Sequence, residues 1–124
     1  MEQVKHLIFV YGTLMAGCGN HRLLDGATLI GDVRTTPDFT MLHLGGFPGV
    51  VREGTTSIIG ELYEVDDPDM LNRLDRLEGH PTFYRREEIT IDDGRKVEVY
   101  LLPSEWLKDR RCKVIASGSW REER

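Results

Sequence analysis

HLIFVYGTLMAGCGN, His6 to Asn20, is the stretch from which the reading of this chain starts. His6 to Tyr11 is continuously apolar and rich in β-formers, the pattern of a strand buried on both faces. It breaks at once into a loop of small residues, Gly12 to Asn20. Gly12 and Gly17 have the spacing of a phosphate loop, but Cys18 and Gly19 stand where Lys and Ser/Thr would have to meet phosphate and magnesium. Gly17-Cys18-Gly19 also lacks the third glycine of a dinucleotide fingerprint. The stretch therefore reads as a strand followed by a loop that does not bind nucleotides. Two roles stay open for it. Successive N–H groups can converge on a carboxylate or an oxyanion. Alternatively, the glycines only supply positive φ for a tight turn.

Downstream, Asn20 is placed to cap a short helix over His21 to Leu24. Strands are expected over Thr28 to Arg34, Phe39 to Leu42, Val50 to Arg52 and Ile58 to Val65, with a tight loop at Gly45 to Gly49. The clearest helix comes next. Asp66 or Asp67 can cap it, Pro68 fits its first turn, and Asp69 suits its positive end. Met70, Leu71, Leu74 and Leu77 form its apolar stripe, Gly79 closes it, and Pro81 prevents its restart. Tyr84 to Ile91 and Arg95 to Leu102 read as a hairpin around Asp92-Asp93-Gly94. A short helix near Trp106 and Leu107 and a last strand over Lys113 to Ala116 complete the chain. Strands, one good helix and more strands make an α+β arrangement or a mixed barrel, not repeated βαβ units.

The 124 residues suit one domain, 1–124, with no repeat or linker, and 40% hydrophobic residues supply a normal core. A formal net charge of -5 argues against a nucleic-acid binder. The basic runs Arg85-Arg86 and Arg110-Arg111 with Lys113 read as solvated faces. Cys18 and Cys112 form no zinc pattern or disulfide framework. No leader and no apolar run of membrane-spanning length is visible, so a soluble cytoplasmic protein is expected.

Glu78 stands out among the candidate residues. Leu71, Leu74 and Glu78 share one helical face, which places a carboxylate at the rim of the core in the last, negative turn of the helix. Burial and the dipole would both raise its pKa towards that of a proton shuttle. The same residue can instead turn outward and pair with an arginine; pattern alone leaves both readings. His6, His21, His43 and His80 are dispersed, and only His80 is near enough to modulate Glu78. Asp66, Asp67 and Asp69 lack the glycine and distal glutamate of a calcium loop and read as helix caps. Cys18 has no identifiable His/Asn partner for nucleophilic chemistry, and no Gly-x-Ser-x-Gly surrounds Ser117 or Ser119. No metal or cofactor is expected. Tyr11, Tyr84 and Tyr100 sit on or beside strands, where packing and ligand contact are both open to them.

Tyr11-Gly12-Thr13-Leu14 with Gly17, Asn20 and Leu24 resembles the signature loop of gamma-glutamyl cyclotransferase-like proteins. Gly46-Phe47-Pro48-Gly49-Val50, Gly60-Glu61-Leu62-Tyr63, Leu74-Asp75-x-x-Glu78-Gly79 with Tyr84 and Arg86, Val99-Tyr100 and Gly118-x-Trp120 continue the pattern in order. Together they span Phe9 to about Trp120, and the nearest branch is the gamma-glutamylamine cyclotransferase or AIG2-like one. Phe47 and Ser119 depart from it, standing where a tyrosine and an acidic residue are usual.

The resemblance implies a small mixed β-barrel with flanking helices, acting on a gamma-glutamyl amine or peptide; the oligomeric state is open, with a monomer expected. It implies that the substrate α-amine attacks the γ-carbonyl and releases 5-oxoproline and a free amine. Glu78 would be the acid/base, Tyr11 to Leu14 would hold the substrate carboxylate, and Tyr84 and Tyr100 would line the pocket. A non-catalytic binding module and a different amide-cleaving activity are the alternatives.

Overall fold

The computed structural model describes residues 5–108 and 111–123. Arg110 of the basic run lies outside them. The described elements are β1 (His6–Val10), β2 (Thr28–Arg34), β3 (Phe39–His43), β4 (Pro48–Thr56), β5 (Ile59–Val65), α1 (Pro68–Glu78), β6 (Arg85–Thr90), β7 (Lys96–Leu101), β8 (Lys113–Val114) and α2 (Trp120–Glu123). Short 3-10 turns cover His21–Leu24 and Ser104–Lys108. No helix among the described residues is long and apolar enough to cross a membrane.

The apolar β1 takes the position its composition demands, the centre of a five-stranded sheet ordered β2–β5–β1–β7–β6. It runs antiparallel to β5, with Ile8 opposite Tyr63, and parallel to β7, with Ile8 opposite Glu98. Covered on both faces, Ile8, Phe9 and Val10 are buried. β2 lies at one edge, and its Leu29 and Ile30 are exposed. β3 pairs with β4 and β8 in a second, three-stranded sheet. β4 is longer than the expected Val50 to Arg52, because its pairing with β3 already begins where Pro48 faces His43. The chain leaving β7 joins the two sheets: Leu102 N–H donates to Val50 O at 2.8 Å, and Val51 bridges Leu102.

The fold is thus a mixed α+β arrangement of sheets with few helices. No sheet among the described residues closes into the expected barrel. The edge strands β2 and β6 meet only beyond their ends, at an isolated Thr35–Ile91 bridge, where Asp92 N–H also donates to Arg34 O. Along the rest of their length no ladder joins them among the described residues.

α1 forms as its end signals require. The Asp67 carboxylate accepts from Asp69 N–H at 2.9 Å, Pro68 occupies the first turn, and Gly79 closes the helix at φ 67°. Met70, Leu71 and Leu74 are buried, whereas Leu77, expected in the same stripe, is exposed. Asn20 also departs from expectation. Its side chain does not cap the following turn but donates to Thr13 Oγ1 at 2.9 Å, closing the small-residue loop on itself. Arg86, read as part of a solvated run, is held by Asp75 and Glu98 because β6 turns it towards the C-terminal turn of α1.

Candidate active site

Four segments converge on one cavity of about 400 Å3. The loop leaving β1 supplies Tyr11, Gly12, Thr13 and Leu14; the end of α1 supplies Glu78; the chain entering β6 supplies Tyr84; and β7 supplies Tyr100. All seven residues singled out from the sequence line this space, together with Phe47, Pro48, Leu77 and Phe83. Cys18 is not among the lining residues, and His80 accepts Arg86 N–H on Nδ1 rather than meeting Glu78.

The half-buried Glu78 carboxylate makes no hydrogen bond or ion pair with any described residue. Of the two orientations the sequence left open, the side chain takes the inward one, bordering the cavity rather than pairing with an arginine. Burial pushes its carboxyl up to about 7. A group poised there can take up and return a proton near neutral pH.

The three tyrosines are fixed by their own hydroxyls. Tyr11 donates to Tyr100 O at 2.7 Å, Tyr84 to Pro48 O at 2.5 Å, and Tyr100 to the Asp75 carboxylate at 2.6 Å. Burial raises all three hydroxyl pKa values, and the nearby Glu78 charge raises each further, so the phenols stay neutral. Arg86 lies 3.1 Å from Asp75 and 3.0 Å from Glu98, which His6 contacts in turn at 2.5 Å. This chain of charged side chains orients Tyr100 from behind.

The loop presents its donors with equal economy. The carbonyls of Gly12, Thr13 and Leu14 accept from Met15 N–H, Asn20 N–H and His21 Nδ1. The N–H groups of the same three residues donate to no described residue. Three unspent backbone donors on the wall of a cavity can hold an anionic or developing oxyanionic group. The loop is anchored from below by Glu61, a buried carboxylate on β5. Glu61 accepts from Ala16 N–H at 2.7 Å and Tyr63 Oη at 3.0 Å, and it pairs with Arg121 at 2.9 Å. Burial acts to raise the Glu61 carboxyl, but these partners outweigh it and hold the group below its usual range.

The sequence reading missed the supporting residues Glu61, Asp75, Glu98 and Arg121. A charge inside the otherwise apolar Ile58 to Tyr63 run was a usable signal for Glu61, and Asp75 stands three residues before Glu78 on the same helix. Arg121 and Glu98 carried none, since their partners are distant in sequence. Among the described residues no three His, Cys, Asp or Glu side chains cluster as a metal site.

The family described as Gamma-glutamyl cyclotransferase, AIG2-like, matches residues 8–122. The gamma-glutamylcyclotransferase family protein YtfP of Escherichia coli is 34% identical over 91% of this chain and 94% of its own. The solution structure of YtfP superposes with a TM-score of 0.70 at 31% identity, covering 94% of this chain and 97% of that one. An AIG2-like protein of Mus musculus superposes with a TM-score of 0.72 at 31% identity, covering 83% and 82%. The chain belongs to the gamma-glutamyl cyclotransferase, AIG2-like family.

Proposed function

We propose that this member of the gamma-glutamyl cyclotransferase, AIG2-like family is a gamma-glutamylamine cyclotransferase, converting a gamma-glutamyl amine to 5-oxoproline and the free amine. The observation that carries the reading is Glu78. It is a carboxyl without a hydrogen-bond or ion-pair partner among the described residues, raised to about 7 by burial, in the same cavity as three unspent N–H donors.

The substrate brings its own nucleophile, so the protein has three tasks. The first is geometry. The N–H groups of Gly12, Thr13 and Leu14 bind the substrate carboxylate and fold the glutamyl chain until its α-nitrogen faces the γ-carbonyl. The second is protonation state. Ionised Glu78 takes a proton from the α-ammonium, and the freed amine attacks to form the five-membered ring. The third is the leaving group. Protonated Glu78 returns its proton to the amide nitrogen as the C–N bond breaks; the ring nitrogen gives one of its two protons to the departing amine, which leaves as ammonium, and keeps the other as the lactam N–H. Neutral Tyr11, Tyr84 and Tyr100 wall the site without adding a competing anion.

The test is incubation of the purified protein with a panel of gamma-glutamyl amines in EDTA, with mass-spectrometric assay of 5-oxoproline and with Glu78→Gln alongside. Wild type is expected to form 5-oxoproline, and the variant to lose about 10²–10⁴-fold in rate. Glutamate as the product would show hydrolysis instead. Undiminished turnover by Glu78→Gln would remove the assigned base.

A further inference from the structure

We infer that the cavity selects a leaving amine with an uncharged, apolar body, an arylalkyl or alkyl amine, seated against Phe47, Leu77 and Phe83. The inference rests on the cyclisation reading above and addresses the half of the substrate that reading leaves open.

Three large apolar side chains stand at the exposed part of the cavity wall. Phe47, Leu77 and Phe83 are 39%, 40% and 37% exposed, and all three line it. Leu77 belongs by sequence to the apolar stripe of α1, yet it stands out of the core at this lip. Phe83 is braced edge-on by Tyr84 at 4.9 Å, Trp106 at 5.6 Å and Phe47 at 6.3 Å between ring centroids. Its ring is therefore held in place as a surface for something else to cover. Apolar side chains gathered at a cavity rim mark a contact surface, whereas single scattered ones do not.

The charges on the wall point the same way. Among the described residues, Glu78 is the only formally charged one lining the cavity. A leaving amino acid would bring a carboxylate to a lip where none of the described lining residues is a lysine or arginine. A polyamine would bring a second ammonium to a wall whose single carboxylate is engaged with the α-nitrogen. Either charge would lose water without gaining a partner, which is costly. An aryl or alkyl body would instead cover the lip, and burying a side chain of that size is worth about 10–100-fold.

The experiment compares the gamma-glutamyl conjugates of phenethylamine, putrescine and glycine. It reads kcat/KM for 5-oxoproline with wild type and, independently, the dissociation constant of each conjugate for Glu78→Gln by calorimetry. The phenethylamine conjugate is expected to exceed the other two by about 10–100-fold in both readouts. Phe47→Ser and Leu77→Ser, two exposed positions whose truncation spares the core, should each cut that preference several-fold. Equal or better performance by the glycine or putrescine conjugate, with 5-oxoproline formed, overturns the apolar selection and leaves cyclisation standing. An unchanged preference in both serine variants also overturns it. Preferential binding of the phenethylamine conjugate without any product keeps the selection and removes cyclisation. Neither binding nor turnover of any conjugate by folded protein overturns both.

Discussion

Glu78 destabilises the fold that holds it. Its carboxyl is raised from 4.5 to about 7 by burial, so the folded state favours the protonated form. Its stabilising contribution is therefore complete below pH 4.5 and is lost as pH rises through 7. At one pKa unit per 1.36 kcal/mol, the full loss is on the order of 3 kcal/mol. Glu78→Gln, which mimics the neutral acid, should match wild type near pH 4 and exceed it by up to about that amount at pH 8, as read from urea midpoints. The same group should give the proposed reaction its pH dependence. kcat/KM should rise as pH passes about 7, and that limb should vanish from the residual rate of Glu78→Gln. Glu78 was legible in the sequence because a carboxylate on an apolar helical face is a local contradiction. Its three tyrosine neighbours were legible only as aromatic residues near strand ends. Their hydroxyl partners, Tyr100 O, Pro48 O and Asp75, lie far away in the chain.

At the scale of elements, α1 and its stop are what aim Glu78. Gly79 follows it directly at φ 67°, and a Cβ there would lie 3.1 Å from Phe83 Cβ. Gly79→Ala should cost about 1–2 kcal/mol in urea unfolding from the left-handed backbone alone, and it should disturb the Phe83 lip as well. Asp67→Ala, at the far end of the same helix, should cost about 1 kcal/mol without altering the pH profile. The loop after β1 depends on the Glu61–Arg121 pair, and Arg121 also donates to Ala16 O at 2.7 Å. Arg121→Ala should raise KM roughly 3–10-fold with a smaller change in kcat, and Arg121→Lys should restore part of it. The ends of α1 could be read from sequence to within a residue because caps, proline and glycine act within one turn, although Asp66 and Asp67 were both open as the cap. Asn20 misled because its side chain is turned back to the loop, with Nδ2 donating to Thr13 Oγ1, and caps no N–H of the following turn. The length of β4 was hidden because β3, which extends its pairing back to Pro48, is a partner that local pattern cannot name.

Over the whole molecule, the sequence disclosed an α+β chain with an inner first strand, but not which strands flank it. Strand order is decided by contacts between distant segments. Nothing within His6 to Val10 states that β7 will lie parallel beside it or that two sheets will share Leu102. The barrel expectation failed for a related reason, since closure depends on how far twist carries β2 from β6.

The central place of β1 also sets an order of events in biosynthesis. β1 is made before the segments that cover it, β5 and β7. Until β7 emerges, the apolar Ile8-Phe9-Val10 edge has no parallel neighbour, and Tyr100, which accepts the Tyr11 hydroxyl, does not yet exist. A chain halted after Thr90 should therefore carry Glu78 and the glycine loop, but no assembled cavity. It should be cut by protease at concentrations that spare the full chain, because β1 then lacks the parallel neighbour that covers it.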